Sequence, residues 1–221
     1  MSRPLPAAVL IDMDGTLVLT EEMWLEAETR TMASLGSDWT QDDQRHCLGG
    51  PMSRVMAYMV QRAGGGHDQS VVQEMVLSSM QEQLRSEPVH WAPGAEELLD
   101  SLEAAGVPLA LVSASPRRLV DVVLERIGST HFATTVAGDE VARTKPDPDP
   151  YLEAARRLGV DIADCVVIED SPVGVASGLA AGAVTVAVPH LAPIPASEGL
   201  HVVDSLTALS PERLSGWASR G

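Results

Sequence analysis

From residue 90 onward, short apolar runs alternate with amphipathic segments, and this alternation constrains the fold more than any other feature of the sequence. The runs are residues 109–113, 134–137, 165–169 and 184–188, and a fifth run, 8–11, lies near the N-terminus. Their largely continuous apolar character is typical of strands covered on both faces. Turn signals such as Ser171-Pro172 and Gly182 bracket the segments between them. The pattern predicts an α/β fold with a parallel sheet built from βαβ units.

The segment 18–89 interrupts this pattern. It contains no predicted strand, and apolar spacing predicts helices at 21–35, 53–63 and 69–85. The methionines on the apolar stripes of these helices are assigned to core packing. A chain of 221 residues fits a core with one large insertion. We therefore predict a discontinuous core at 1–17 and 90–221 with an inserted helical cap at 18–89, and a frayed tail at 215–221.

Charge and composition exclude several kinds of partner. The net charge of -16 argues against nucleic acid and anionic membranes. No apolar run approaches the ~20 residues of a membrane helix, and the stretch 5–11 is too short for the core of a signal peptide. Two distant cysteines indicate no disulfide framework, which agrees with a reducing compartment. We predict a cytoplasmic protein that is a monomer or weak homodimer.

Two aspartates follow the run 8–11 directly. Asp12 and Asp14 are separated by one residue, so their side chains point the same way in an extended chain. They leave the carboxyl end of the strand, where α/β sheets bind ligands, and Gly15 permits a sharp turn there. An Asp-x-Asp pair alone more often caps a turn. The longer sequence Asp-Met-Asp-Gly-Thr after a buried strand favours a carboxylate site.

Residues 12–16 resemble the first motif of the haloacid dehalogenase-like hydrolase superfamily, and the resemblance continues over nearly the whole chain. The chain is most similar to the branch of phosphoglycolate phosphatases and β-phosphoglucomutase, which has a Rossmann-like core with a helical cap inserted after the first strand. The resemblance implies a Mg²⁺-dependent phosphatase. Asp12 would carry the phosphoryl group as an aspartyl-phosphate, and Asp14 would act as general acid and base.

Three further motifs match the family. Ser113 ends the run 109–113, and the resemblance implies that it donates to the transferring phosphoryl group. Met13 and Ala114 are predicted to contact the substrate. Lys145 is the only lysine among 15 basic residues. A compact point charge suits a crowded phosphate site, and the resemblance assigns Lys145 that role.

Glu169 and Asp170 end the run 165–169 and form the last motif. Oxygen ligands are those that Mg²⁺ prefers. The resemblance implies that Asp12 and Asp170 bind Mg²⁺ through their side chains and Asp14 through its main-chain carbonyl. Glu169 would bind the metal directly or orient a metal-bound water.

The cap is expected to select a small phosphorylated metabolite. Gly50 and Arg54 resemble the family's cap loop, and Arg54 would either hold a second anionic group or lie in solvent at a helix start. Trp24 is predicted to contact the substrate. It stands where the sugar-phosphate mutases have a histidine, and Leu19 stands where they have an acid.

These departures favour a phosphatase over a mutase, which remains the alternative. A cap without lysine excludes the phosphonate-cleaving relatives, which need one. A metal-binding regulator without catalysis is the second alternative. It would lack one of the five central residues, and none is missing.

Overall fold

The structure, a computed structural model, describes residues 4–47, 51–128 and 130–218. Its main sheet has six parallel strands in the order β5-β4-β1-β6-β7-β8. A separate antiparallel pair is formed by β2 and β3. The strands are β1 (Ala8–Ile11), β2 (Val18–Leu19), β3 (His90–Trp91), β4 (Leu109–Val112), β5 (Thr134–Val136), β6 (Cys165–Glu169), β7 (Val184–Ala187) and β8 (Leu200–Val202).

Helices cover both faces of the sheet and form the segment between β2 and β3. That segment contains α1 (Glu21–Ser34), α2 (Gln41–Cys47), α3 (Met52–Arg62) and α4 (Gln69–Ser86), called the cap helices below. The others are α5 (Ala95–Ala104), α6 (Arg117–Ile127), α7 (Asp149–Leu158), α8 (Pro172–Ala181) and α9 (Pro211–Ala218). None of the helices in the described part of the chain combines the length and apolar character that crossing a membrane requires.

Strand β1 lies in the middle of the sheet because its side chains are apolar on both sides. Val9 and Ile11 face one hydrophobic cluster, and Ala8 and Leu10 face the other. All four are fully buried, as expected for a parallel strand between two layers of helices. β4 and β6 flank β1 in parallel. The carboxyl ends of the three strands therefore meet at one edge, directly below the cap helices.

The cap helices pack around a methionine-rich core. Met56, Met59 and Met80 are buried, and α1 packs along α4. The prediction that the methionines on the apolar stripes serve packing is confirmed for Met56 and Met59, whereas Met75 is half-buried. The cap helices also contact the rest of the molecule, because α4 packs against α6 and Glu74 of α4 forms a salt bridge with Arg118 of α6.

The predicted α/β class and all five predicted strands are confirmed, with strand ends differing by at most one residue. The prediction of no strand in 18–89 is wrong at Val18–Leu19, which pairs with His90–Trp91. The prediction of a frayed tail is wrong for residues 215–218. There α9 continues, and buried Ser215 donates to the carbonyl of Pro4 at 2.8 Å. β8 and α2 were not predicted. The exact cap boundaries stay a prediction.

Candidate active site

The turn after β1 places both aspartates at the sheet edge. The Asp12 amide donates to the Ile168 carbonyl at 3.0 Å, so the backbone at Asp12 is still hydrogen-bonded to strand β6. Gly15 then adopts a positive φ of 86°. A Cβ there would lie 2.4 Å from Asp170 Oδ2. Glycine is therefore required twice, once by the backbone conformation and once by the close approach of Asp170.

Lys145 is held between two carboxylates. Its Nζ donates to Asp12 Oδ1 and to Glu169 Oε1, both at 2.6 Å, and to the Val112 carbonyl at 2.9 Å. These contacts use the three donors of an ammonium group. Burial lowers the pKa of Lys145, but the charges of Asp12 and Glu169 outweigh it, so its pKa is raised above the usual value. The side chain is charged although it is buried.

Glu169 is fully buried and both of its oxygens are occupied. Oε1 accepts from the Tyr151 hydroxyl at 2.7 Å as well as from Lys145, and Oε2 accepts from Ser171 Oγ at 3.1 Å. These contacts orient Glu169 toward Lys145. They favour a role in holding the ammonium group over direct metal binding, which was one of the two predicted options.

Asp12, Glu169 and Asp170 form a carboxylate cluster. An oxygen of each lies within 4.8 Å of the others. Burial and the neighbouring carboxylates raise the pKa of Asp12 to about 7, and burial with the charge of Asp12 raises that of Asp170 to about 9. A bound divalent cation would remove this repulsion. The donor set is all oxygen, as Mg²⁺ requires, so the residues present fit the predicted metal.

The Asp14 side chain belongs to a separate hydrogen-bond group. Its Oδ1 accepts from Thr20 Oγ1 at 2.7 Å, and its Oδ2 accepts from Ser113 Oγ at 3.2 Å and Ser115 Oγ at 2.9 Å. Ser113 Oγ also accepts from the Ser115 amide at 2.9 Å. The fully buried Ser113 is therefore turned toward Asp14. Its role as a phosphoryl donor stays a prediction.

A cavity of about 290 Å³ lies between the sheet edge and the cap helices. Asp12, Asp14, Lys145 and Asp170 line its floor, and Trp24 and Ala114 lie on its walls. Two polar atoms of lining residues, Thr144 Oγ1 and Glu21 Oε1, are buried with no hydrogen-bond partner in the described residues. His190 Nε2 lies 3.2 Å from Glu21 Oε1, an ion-pair distance without hydrogen-bond alignment. Such unpaired atoms indicate a site that binds a polar ligand.

Four predicted substrate residues are not among the described residues lining this cavity, and one of them is Ser113, which is fully buried and donates to Asp14. The Met13 side chain is buried in the core, and its carbonyl accepts from the amides of Leu17 and Val18 at 3.0 and 3.1 Å. Arg54 is exposed, and its guanidinium donates to the carbonyls of His46 and Cys47 at 3.4 and 3.3 Å. Gly50 lies outside the described residues.

Sequence reasoning missed a buried acid on the cap side of the cavity. Glu28 lines the cavity, and its Oε2 accepts from Trp39 Nε1 at 2.9 Å. Burial raises the pKa of Glu28 to about 7, against the lowering effect of the Trp39 bond. Its position was detectable, since residues 21, 24 and 28 share one helix face. Thr20, Ser115 and Tyr151 were missed as well.

Comparison with known proteins places this geometry in a family. The sequence model of the haloacid dehalogenase-like hydrolases matches residues 9–188. Protein CbbY of Rhodobacter capsulatus is 36% identical over 187 residues, covering 79% of this chain and 82% of that protein. Hexitol phosphatase B of Escherichia coli K12 is 31% identical over 186 residues, covering 82% of this chain and 83% of that protein.

A solved structure agrees with the sequence relatives. A variant of CbbY from Rhodobacter sphaeroides, crystallised with xylulose-(1,5)bisphosphate, superposes with a TM-score of 0.81 at 26% identity. The match covers 92% of this chain and 96% of the CbbY chain. Sequence match, relatives and fold agree with the resemblance drawn from residues 12–16. This chain belongs to the haloacid dehalogenase-like hydrolase family.

Proposed function

We propose that this phosphatase hydrolyses the phosphomonoester of a small metabolite through an aspartyl-phosphate on Asp12. The observation that carries the proposal is the division of labour between the two aspartates. Asp12 contacts the Lys145 ammonium group, whereas Asp14 accepts hydrogen bonds from the hydroxyl groups of Thr20, Ser113 and Ser115. A nucleophile and a proton donor need such different surroundings.

In the first step an Asp12 oxygen attacks phosphorus in line. The bond from phosphorus to the Asp12 oxygen forms as the bond to the leaving oxygen breaks, and Asp14 gives its proton to that oxygen. Lys145 offsets the negative charge that gathers on the phosphoryl oxygens. In the second step a water attacks phosphorus, Asp14 takes its proton, and inorganic phosphate leaves with the Asp12 carboxylate restored.

Mg²⁺ would be held by the side chains of Asp12 and Asp170 and the main-chain carbonyl of Asp14. When bound, it supplies charge neutralisation at the phosphoryl oxygens. Lys145 does not replace it, because one ammonium group lies among three buried carboxylates. Glu169 holds Lys145 in place by accepting a hydrogen bond from its ammonium group.

The relatives indicate the substrate class. One carries the name hexitol phosphatase, and the similar CbbY structure contains a sugar bisphosphate. We infer that the substrate of this chain is a phosphorylated sugar or sugar alcohol. Trp24 lines the cavity where the mutases have histidine, and its indole offers one N–H donor and no proton-accepting group. This favours hydrolysis over mutase activity.

The test is hydrolysis of p-nitrophenyl phosphate with and without Mg²⁺ by the wild-type protein and by Asp12→Asn. The amide keeps the volume of the side chain but cannot attack phosphorus, so kcat should fall about 10³-fold or more. Asp14→Asn should lose about 10²- to 10⁴-fold. Circular dichroism and thermal unfolding would show that both variants are folded.

Near-normal turnover by a folded Asp12→Asn protein would refute the covalent mechanism. Full wild-type activity after exhaustive chelation would refute the metal requirement. The mutase alternative is tested with β-glucose 1-phosphate and catalytic glucose 1,6-bisphosphate. If glucose 6-phosphate accumulates much faster than free phosphate, the mutase function replaces the phosphatase.

A further inference from the structure

Glu28 lies on the face of α1 that lines the cavity, with Glu21 and Trp24. Seven residues separate Glu21 from Glu28, and a helix rises 1.5 Å per residue, so their backbones are about 10 Å apart along α1. Glu21 lies beside the floor, since a Cβ on Gly15 would be 3.0 Å from its Oε1. Glu28 is therefore placed to meet the part of a substrate farthest from phosphorus.

The surroundings of Glu28 leave one acceptor oxygen for a ligand. The residue is 7% exposed, and Oε2 accepts from the Trp39 indole. Trp39 is only a donor, so this bond fixes the carboxylate without satisfying Oε1. Within the described residues no hydrogen-bond partner of Oε1 is found. Glu28 lines the cavity, so a donor on the cavity's occupant can reach this oxygen and form a hydrogen bond with it.

The charges around the cavity exclude a second anionic group at this end. The described lining residues include five acids, namely Asp12, Asp14, Glu21, Glu28 and Asp170, and one cation, Lys145. Lys145 is committed to the floor by its contacts with Asp12 and Glu169. Arg54 is not among the described lining residues, and its guanidinium donates to the carbonyls of His46 and Cys47. A second phosphate would meet Glu28 with no described cation beside it.

We propose that Glu28 accepts a hydrogen bond from a hydroxyl of the leaving group and so selects neutral polyol monophosphates over bisphosphates. This inference rests on the phosphatase function proposed above. Trp39 is a positioning residue for Glu28. The walls beside Glu28, which include Trp24, Met52 and Val55, supply apolar contact for the carbon chain. The selection differs from that suggested by the bisphosphate in the CbbY structure.

The experiment compares Glu28→Gln with the wild type on three substrates. These are a hexitol 6-phosphate, n-hexyl phosphate, which has the same carbon count without hydroxyls, and fructose 1,6-bisphosphate. The Gln amide keeps the volume, and its oxygen can still accept from Trp39. Its NH₂ group then takes the place of Oε1, so an acceptor becomes a donor.

At pH 8, above the raised pKa of Glu28, we expect kcat/KM of Glu28→Gln for the hexitol phosphate to fall about 10- to 100-fold, the usual range for losing a hydrogen bond to a charged group. The value for hexyl phosphate should stay within about threefold. The wild type should use the bisphosphate at least about tenfold less well than the hexitol phosphate. Glu26→Gln is the matched control, because Glu26 is on the same helix but exposed and bound to Arg30. It should change none of these values.

Equal losses on the hexitol and hexyl phosphates would show that Glu28 serves only the fold, and would overturn the inference. An unchanged hexitol value, or a wild-type preference for the bisphosphate, would overturn it as well. In each case p-nitrophenyl phosphate hydrolysis by the wild type would leave the phosphatase function standing. A wild type inactive on every phosphomonoester would refute the phosphatase function, and this inference with it.

Discussion

Lys145 is the residue around which the site is assembled. Its three N–H donors bind the carboxylates of Asp12 and Glu169 and the main-chain carbonyl of Val112. These acceptors lie at the carboxyl ends of β1, β6 and β4. All three acceptors converge on one atom, an arrangement that suits a point-like cation. This explains why lysine persists here in a chain that uses arginine at its 14 other basic positions.

We expect Lys145→Arg to lower kcat by about 10²-fold or more, although the charge is kept. A planar guanidinium cannot direct three donors from a single point, and the buried site has no room for its extra atoms. The measurement is steady-state hydrolysis with Mg²⁺ present. Arg143→Lys is the reciprocal control at an exposed position, where Arg143 binds Asp149, and should leave kcat unchanged. Activity of Lys145→Arg within threefold of wild type would contradict this account.

Glu28 should make stability depend on pH. Burial raises its pKa from 4.5 to about 7, so between these values the folded state binds more protons than the unfolded state. The stabilisation is complete below pH 4.5 and is lost as pH rises through 7. Glu28→Gln removes this titration. The variant should gain on the order of 3 kcal/mol in unfolding free energy relative to wild type between pH 4.5 and pH 8.

Urea unfolding of both proteins at pH 5, 6, 7 and 8 measures that difference. Glu26→Gln, on the exposed face of the same helix, should show no trend. A difference between Glu28→Gln and wild type that stays constant over this range would show that Glu28 is ionised with an ordinary pKa.

At the scale of the element, helix α8 supports the site through its small residues. Ser171 caps the helix by accepting from the Gly174 amide at 3.1 Å, and the same hydroxyl donates to Glu169. A Cβ on Gly174 would lie 1.8 Å from Glu169 Cδ. Glu169 is enclosed by Lys145 and Tyr151 and has nowhere to move. The first turn of α8 thus fixes the position of Lys145 indirectly, because Gly174 packs against Glu169 and Glu169 binds Lys145.

Gly174→Ala should therefore lower both stability and activity. Alanine normally favours a helix by about 1 kcal/mol, but the overlap with Glu169 outweighs this at a cost of about 1–3 kcal/mol. Displacing Glu169 also displaces Lys145, so kcat should fall at least about tenfold. Gly178→Ala is the control on the same helix, where an added Cβ meets Thr185 and Val167 side chains at 2.9 Å. It should lower Tm while kcat stays near wild type. Equal kcat values in the two variants would contradict the role of Gly174.

The strands that could be predicted from the sequence are those that a short stretch of sequence identifies by itself. β1, β4 and β6 are buried apolar runs that end at turn residues, so pattern alone finds them. β2 and β3 have two residues each, and they form only because Val18 pairs with Trp91 and Leu19 pairs with His90 across a long stretch of chain. β8 is an edge strand that is partly exposed, and its sequence resembles a loop. Pairing that depends on tertiary contact leaves no periodic signal.

The same distinction separates the site residues that were found from those that were missed. Asp12 and Asp14 lie in a short motif directly after strand β1, and Lys145 lies in a motif that precedes helix α7. Tyr151 and Glu28 contribute through side chains that arrive from helices, and an isolated acid or tyrosine on a helix carries no motif. Arg54 fits a motif, yet its guanidinium donates to nearby carbonyls. Motifs located the reaction centre, whereas at the substrate end of the cavity the sequence predicted Trp24 but not Glu28.

For the molecule as a whole, the concentration of acids at one cavity should couple metal binding to folding. A ligand that binds only the folded state adds about 2.7 kcal/mol of stability at 100 times its Kd. In a chain of this size that corresponds to about 5–10 °C in Tm. We expect Mg²⁺ to raise Tm by this amount and Asp170→Asn to remove most of the shift.

Differential scanning calorimetry with Mg²⁺ or with chelator measures this without an activity assay. Asp100→Asn is the control, because Asp100 belongs to an exposed group with Glu103 and His131 that has similar spacing. That variant should keep the full Mg²⁺ shift. If Asp100→Asn lost the shift and Asp170→Asn kept it, the metal would bind at the surface group.

The pairing of β2 with β3 has a consequence for how such an enzyme changes over evolutionary time. Val18 lies opposite Trp91 and Leu19 opposite His90, so the chain leaves the sheet edge and returns to it at neighbouring points. The segment between β2 and β3 is therefore a loop whose two ends are held together by this pairing. The entropy of closing a loop depends only weakly on its length. An insertion, deletion or replacement between residues 21 and 89 leaves strand β1, Asp12 and the loop that carries Lys145 unchanged in sequence. Descendants of such a chain can inherit the reaction unchanged while acquiring a different substrate.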